Sequence, residues 1–316
     1  MTRMKITGIS GRTAGYPLEG VILYCKLVLT AFFWGGTFVA GRIVSHEAGP
    51  FSAAFLRFLT ASMVLSLFMI KSHGKFPSLK PVQILSLTLL GLTGVFAYNF
   101  FFFSGMKTIT ASRASLIIAT NPAFIALLSS VFFVDEKLNR TKVAGIILSV
   151  AGAAVVVSRG NPAEIFKGHL GLGELYIFGC VLSWVAYSLI GKVAMKSLSP
   201  LVSVTYACII GVALLLPPAL IEGIMRDVAQ FSGAVWVSLL YLGLFGSAIG
   251  FIWYYEGIKG IGPSRAGVFI NIVPISSVLL AFLILRETLD ASLAMGLVLV
   301  VAGVFLTNRS PDTRRT

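Results

Sequence analysis

Acidic residues are scarce in this chain: 12 Asp and Glu stand against 25 Lys and Arg in 316 residues, and none falls midway along an apolar run. That scarcity leaves no pair of buried aspartates for acid catalysis. The three histidines, His46, His73 and His169, lie between the apolar runs, and neither His-Glu-x-x-His nor Gly-x-Ser-x-Gly occurs, so no catalytic constellation is in view. Cys25, Cys180 and Cys208 are each embedded in an apolar run, which argues against a disulfide framework or a Cys-x-x-Cys metal site. The phosphate-cradling pattern Gly-x-x-x-x-Gly-Lys-Ser/Thr is also missing, which argues against nucleotide hydrolysis. No cofactor and no metal are implied, and the chain is not expected to be an enzyme.

Charge is thin as well. Charged residues make up 12% of the chain against 57% hydrophobic, with a mean hydropathy of +0.92. So little polar surface cannot coat a soluble globule of this length, so the partner is the lipid bilayer. The formal charge of +13 is spread in short clusters between apolar runs. Phosphate binding needs a dense basic stripe, so no nucleic-acid partner is expected and the charge reads as topogenic. About 20 apolar residues cross a bilayer as a helix. On that measure ten spans are read, at 20–44, 50–70, 82–104, 109–134, 142–158, 172–192, 200–221, 232–256, 263–285 and 291–307. The first of them is expected to serve as its own insertion signal.

With the N-terminus inside, 16 basic residues lie on the cytoplasmic side and seven on the other, while Lys26 and Arg57 lie within spans. The positive-inside rule then places both termini in the cytoplasm of a bacterial-type inner (plasma) membrane.

The chain also repeats itself. Trp34, Thr37, Phe38, Gly41, Arg42 and Pro50 return at an offset of 150 as Trp184, Tyr187, Ser188, Gly191, Lys192 and Pro200. Gly91, Gly94, Gly105, Ser112-Arg113-Ala114 and Pro122 return 152 residues later as Gly243, Gly246, Gly257, Ser264-Arg265-Ala266 and Pro274. The duplicated units are 20–158 and 172–307. Five spans per unit is an odd number, so the second unit enters the membrane upside down. The expected fold is therefore an all-α membrane protein of ten helices in two inverted five-helix repeats. Such an arrangement gives two nearly equal states that expose one central site to opposite sides, the layout of a transporter.

Several stretches carry a resemblance. Phe33-Trp34-Gly35-Gly36, Leu56-Arg57-Phe58, the Ser-Arg-Ala openings of spans four and nine, their prolines, and the turns Asp135-Glu136-Lys137-Leu138 and Arg286-Glu287-Thr288-Leu289 resemble the EamA family of the drug/metabolite transporter superfamily. The resemblance implies export of amino acids or related small metabolites by alternating access, with a small-molecule substrate and no nucleotide-binding domain. Within the class, a proton-coupled drug or metabolite antiporter and a flippase or carrier of phosphorylated solutes are the alternatives.

A transporter site is expected near mid-depth, where repeat-related helices meet. Trp34, Thr37 and Phe38 share one face of span one, and Trp184, Tyr187 and Ser188 share the matching face of span six. Their small neighbours serve close helix packing equally well. Tyr98 and Asn99 on span three, and Trp253 and Tyr254 on span eight, offer polar tips on apolar bodies. Pro122 and Pro274 are expected to break spans four and nine and free the carbonyls of Ile118 and Ile270. Asn121 and Asn271, at the same depth, either tie off that backbone or meet the substrate. Arg57 either binds a substrate carboxylate or bonds carbonyls of a neighbouring helix. Lys26 and Glu256, at cytoplasmic helix ends, either pair as a gate or extend separately to the interface. Proton coupling needs a buried titratable group, and only Glu256 and Glu174 approach one, so gradient-driven facilitation is favoured. Glycine-rich spans five and ten either form a homo-oligomer face or pack within the bundle.

Overall fold

The computed structural model describes residues 17–133, 138–161, 171–261 and 269–308. The turn residues Asp135, Glu136 and Lys137 and the Ser264-Arg265-Ala266 opening lie outside them. Among the described residues all regular structure is helical, and nine helices are long and apolar enough to cross a membrane. In chain order the long helices are α1 (Pro17–Glu47), α2 (Pro50–His73), α3 (Pro81–Met106), α4 (Ala111–Phe132), α5 (Arg140–Val157), α6 (Leu172–Ala194), α7 (Pro200–Glu222), α8 (Gly233–Gly257), α9 (Phe269–Leu285) and α10 (Ala291–Asn308). Helix α9 is the shorter one, and its expected first residues, 263–268, are among those not described.

Two features of the helices depart from a plain reading of the sequence. First, Gly91–Ala97 in α3 and Leu242–Ile249 in α8 are wound as π-helix. The repeated glycines, Gly91 and Gly94 in one copy and Gly243 and Gly246 in the other, lie in or beside these wide turns. A π-turn leaves backbone carbonyls poorly matched to their own helix, and such turns concentrate at functional sites. Second, the prolines are not interior kinks. Helix α4 is interrupted at Ala119–Thr120, and Pro122 stands in the first turn of the segment Asn121–Phe132. Pro274 likewise stands in the first turn of Ile272–Leu285, just after a 3-10 turn at Phe269–Asn271. A missing N–H costs little in a first turn. Asn121 and Asn271 therefore do not tie off a broken ladder, and among the described residues their side chains make no hydrogen bond.

Packing follows the repeat. Helices α2 and α7, copies of one another, pack together, as do α5 and α10, while α1 against α8 and α3 against α6 are two versions of one contact. The core holds Phe38, Phe58, Phe102, Phe103, Ile177 and Leu242. The perimeter exposes Leu67, Val82, Val131, Ile221 and Val298, as lipid-facing helices do. Helices α5 and α10 spend their glycines on each other. A Cβ on Gly145 would lie 2.6 Å from the Gly303 carbonyl oxygen, and one on Gly152 would lie 2.8 Å from the Val300 nitrogen.

One end of the bundle is laced by carboxylates on helix N-termini. Glu222 accepts from the Ser52 N–H and hydroxyl, both at 2.7 Å, at the start of α2. Glu287 accepts from the Ala111 N–H at 2.7 Å, the Ser112 N–H at 3.0 Å and the Ser112 hydroxyl at 2.6 Å, at the start of α4. Glu47 does the same for Ser232 ahead of α8, at 2.8 Å. Orphan N–H groups and the helix dipole both favour an acid there. Arg42 adds a bond to the Met106 carbonyl, and Arg113 joins Asp290 at 3.2 Å. The Ser292 hydroxyl above all, then the Leu293 N–H and Arg113, hold the Asp290 carboxyl below its usual range. The stability from that corner is present above the ordinary carboxylate range and is lost as pH falls through the lowered value.

Replacing Gly145 with Val forces apart α5 and α10. Overpacking of this kind costs about 1–3 kcal/mol, so thermal unfolding in detergent should show a clear loss of Tm. Gly20→Ala, with nothing within 4 Å of the added methyl, should leave Tm in place. Equal Tm values for the two variants would contradict the packing.

Candidate functional site

A cavity of about 720 Å³ lies inside the bundle, within the usual range for small-molecule sites. It runs from mid-depth toward the end of the bundle that carries Lys142, Thr307 and Asn308, where α5 begins and α10 stops. The carboxylate caps at the other end do not line it.

The walls are two indole–phenol pairs, each joining helices of different repeats. Trp34 from α1 sits against Tyr254 from α8, ring centroids 5.3 Å apart, with Phe251 at 5.9 Å. Trp184 from α6 sits against Tyr98 from α3 at 5.4 Å and Tyr187 at 5.1 Å. The π-turn fixes one of them: the Trp34 indole N–H donates to the Gly246 carbonyl at 3.0 Å. Thr37 completes that face, its hydroxyl donating to the Trp34 carbonyl at 2.6 Å. Among the described residues the hydroxyls of Tyr98, Tyr187 and Tyr254 make no hydrogen bond, and all three residues line the cavity.

Arg57 stands in the wall between these pairs, 8% exposed. Its Nε donates to the Ser247 hydroxyl at 3.2 Å and its Nη1 to the Asn99 Oδ1 at 3.1 Å. Both acceptors are held by the π-turns. Asn99 donates to the Val95 carbonyl at 2.8 Å and the Gly94 carbonyl at 3.4 Å, and Ser247 donates to the Leu242 carbonyl at 3.1 Å. Arg57 thus ties α2 to α3 and α8 through side chains, rather than through a neighbour's carbonyls.

Of the residues singled out from the sequence, the cavity gathers Trp34, Thr37 and Phe38, Tyr98 and Asn99, Trp184 and Tyr187, Tyr254, and Asn121 and Asn271, together with Arg57, Pro122 and Pro274. Asn121 and Asn271 are 7% and 9% exposed, and each has a buried Oδ1 without a partner among the described residues. Ser188 and Trp253 are not in the lining. Ser188 donates to the Trp184 carbonyl at 2.7 Å, and Trp253 packs on Phe33 at 5.7 Å. Lys26 and Glu256 pair at 2.7 Å but away from the cavity, with side chains 32% and 43% exposed; such a pair is worth about 1 kcal/mol at most.

Sequence reasoning passed over Ser247, Tyr255, Lys142 and Thr307. Ser247 carried a usable signal, a hydroxyl beside Gly246 in the second copy of the glycine motif. Tyr255 and Thr307 carried none beyond their neighbours.

The EamA-like transporter family model matches residues 21–158 and 171–309. The chain is 28% identical over 282 residues to the uncharacterized transporter YyaM of Bacillus subtilis (strain 168), covering 89% of this chain and 92% of that one. It is 31% identical over 283 residues to an uncharacterized transporter of Archaeoglobus fulgidus, covering 89% and 95%. It is 29% identical over 291 residues to a probable terminal-alkyne amino-acid exporter of Streptantibioticus cattleyicolor, covering 92% and 94%. A solved crystal structure superposes with a TM-score of 0.62 over 91% of this chain and 97% of its own at 21% identity, a likeness of fold alone.

Hydrogen bonds to a charged group contribute about 1.5–3 kcal/mol each. Asn99→Ala removes one from Arg57 and also frees the π-turn carbonyls of α3, so it should lower Tm more than Ser247→Ala does. The reverse order in thermal unfolding would contradict this network.

Proposed function

The chain belongs to the EamA-like transporter family, and from that premise we propose that it exports amino acids or related small metabolites by alternating access. In this reading ten helices form two inverted repeats, 20–158 and 172–307, in an inner membrane with both termini cytoplasmic. The observation that carries it is the cavity, which stops short of the carboxylate caps at one end and reaches Lys142, Thr307 and Asn308 at the other. With the basic loops inside, the open end faces the cytoplasm, the side from which an exporter loads. The paired aromatic walls, with hydroxyls and amides unpartnered among the described residues, suit a solute with an apolar body and a few polar groups. A relative named as a probable amino-acid exporter supports that class. Among the described residues no Asp or Glu lines the cavity, which favours facilitation over proton coupling, because a proton carrier has to sit where solute and both faces reach it.

Proteoliposomes preloaded with unlabelled amino acid should show counterflow of at least one labelled L-amino acid, with the same endpoint with and without a pH gradient. Trp34→Ala and Tyr254→Ala should lower it about tenfold, as loss of a pocket contact does, while Ser188→Ala should leave it unchanged. Concentration driven by the pH gradient would contradict facilitation, and silence across the panel would contradict the substrate class.

Orientation has its own test. In a background without native cysteines, Asn308→Cys, at an exposed position of the same end, should react with an impermeant maleimide in inside-out vesicles and not in right-side-out ones. The opposite preference would contradict the cytoplasmic opening.

A further inference from the structure

We propose that Arg57 is the receptor for a carboxylate on the transported solute, so that this carrier selects organic acids and amino acids over their uncharged or purely cationic analogues. The inference rests on the transporter reading above and names the chemistry of its site.

Four observations converge on it. Among the described residues, Arg57 and Lys142 are the charged ones in the cavity lining, and neither has an acidic counterpart there. Arg57 is the deeper of the two, at 8% exposure, while Lys142 stands in the first turn of α5. A guanidinium at that depth is expensive unless an anion meets it.

Its partners are neutral and incomplete. Nε and Nη1 donate to Ser247 and Asn99, and among the described residues Nη2 has no hydrogen-bond partner. A hydroxyl and an amide orient the fork without neutralising it, leaving charge and one donor for a ligand.

The fork is held in place before any ligand arrives. Asn99 and Ser247 are each tied to carbonyls of the π-turns in α3 and α8, so little side-chain freedom remains to be lost on binding.

Finally, the repeat argues against a purely architectural role. The position matching Arg57, at the offset that carries Pro50 to Pro200, is Ala207, and it lines the same cavity. The second copy makes its version of the helix with a methyl group, so helix packing at this position does not call for a cation. One guanidinium also fits a single carboxylate better than a phosphoryl group, whose two charges call for several cations.

The test uses matched pairs. Wild-type protein is offered L-phenylalanine, L-phenylalaninamide and 3-phenylpropionate, and the corresponding leucine and alanine triplets. Binding is read as thermal stabilisation in detergent and transport as competition with counterflow in proteoliposomes. In each triplet that acts, the two acids should outcompete the amide by about tenfold or more, the factor that one charge-assisted hydrogen bond carries. Arg57→Gln should bring acid and amide to parity, and Arg57→Lys should keep the preference for acids at lower affinity. If Arg57→Gln does not fold, Lys142→Gln decides between the two cations of the lining: the preference for acids should survive it, and its loss would overturn the assignment to Arg57. Parity of acid and amide in the wild type would overturn the proposal, as would stabilisation by no carboxylate in the panel. Acid-selective stabilisation without counterflow would leave the carboxylate receptor standing and overturn the transporter reading instead.

Discussion

Hydrocarbon offers no hydrogen bonds, so every polar group within these helices must find its partner inside the protein. Most do so locally: the hydroxyls of Thr30, Ser86 and Thr88 donate to carbonyls four residues back on their own helices. The less local arrangements gather around the cavity. Two π-turns release carbonyls, and Asn99, Ser247 and Trp34 take them up. The first two of those residues then hold the buried Arg57. Six buried side-chain atoms lack a partner among the described residues, and two of them, on Asn121 and Asn271, belong to residues that line the cavity. A buried unpaired amide oxygen costs about 1–3 kcal/mol. A solute with N–H or O–H groups at that place would recover part of it.

The capped end is built differently. Its caps join Glu47, Glu222 and Glu287 to helix N-termini at the rim of the bundle, where water can replace them. A cap contributes about 0.5–2 kcal/mol, small enough for thermal exchange. Alternation between two faces needs states separated by a few kcal/mol. On the proposed reading the rim changes partners while the Arg57 network, held by side chains that the π-turns fix, stays intact.

Much of this was legible from residues alone. Hydropathy placed the helices to within a few residues, and the glycine and tryptophan repeats pointed to the faces that the cavity gathers. What was not legible depended on partners distant in sequence. The π-turns look like ordinary helix in composition, because Gly91-Leu92-Thr93-Gly94 carries no breaker. Pro122 and Pro274 were read as interior kinks because apolar runs on both sides hid the chain breaks that make them first-turn prolines. Trp253 and Tyr254 were indistinguishable as neighbours, yet consecutive positions on a helix point about 100° apart, so one lines the cavity and the other packs on Phe33. The partners of Arg57, Asn99 and Ser247, stand 42 and 190 residues away, so nothing in the sequence announced that they would be neutral side chains.

The claim that one central cavity opens alternately to the two ends is tested most directly by distances across both. Spin labels at Lys107 and Thr288 would report the capped end, and labels at Phe132 and Asn308 the open one, in the protein reconstituted with and without transported solute. The account predicts opposite changes under turnover: a second population with the first pair farther apart and the second pair closer together. Two distance distributions that stay as they are while solute crosses the membrane would contradict it.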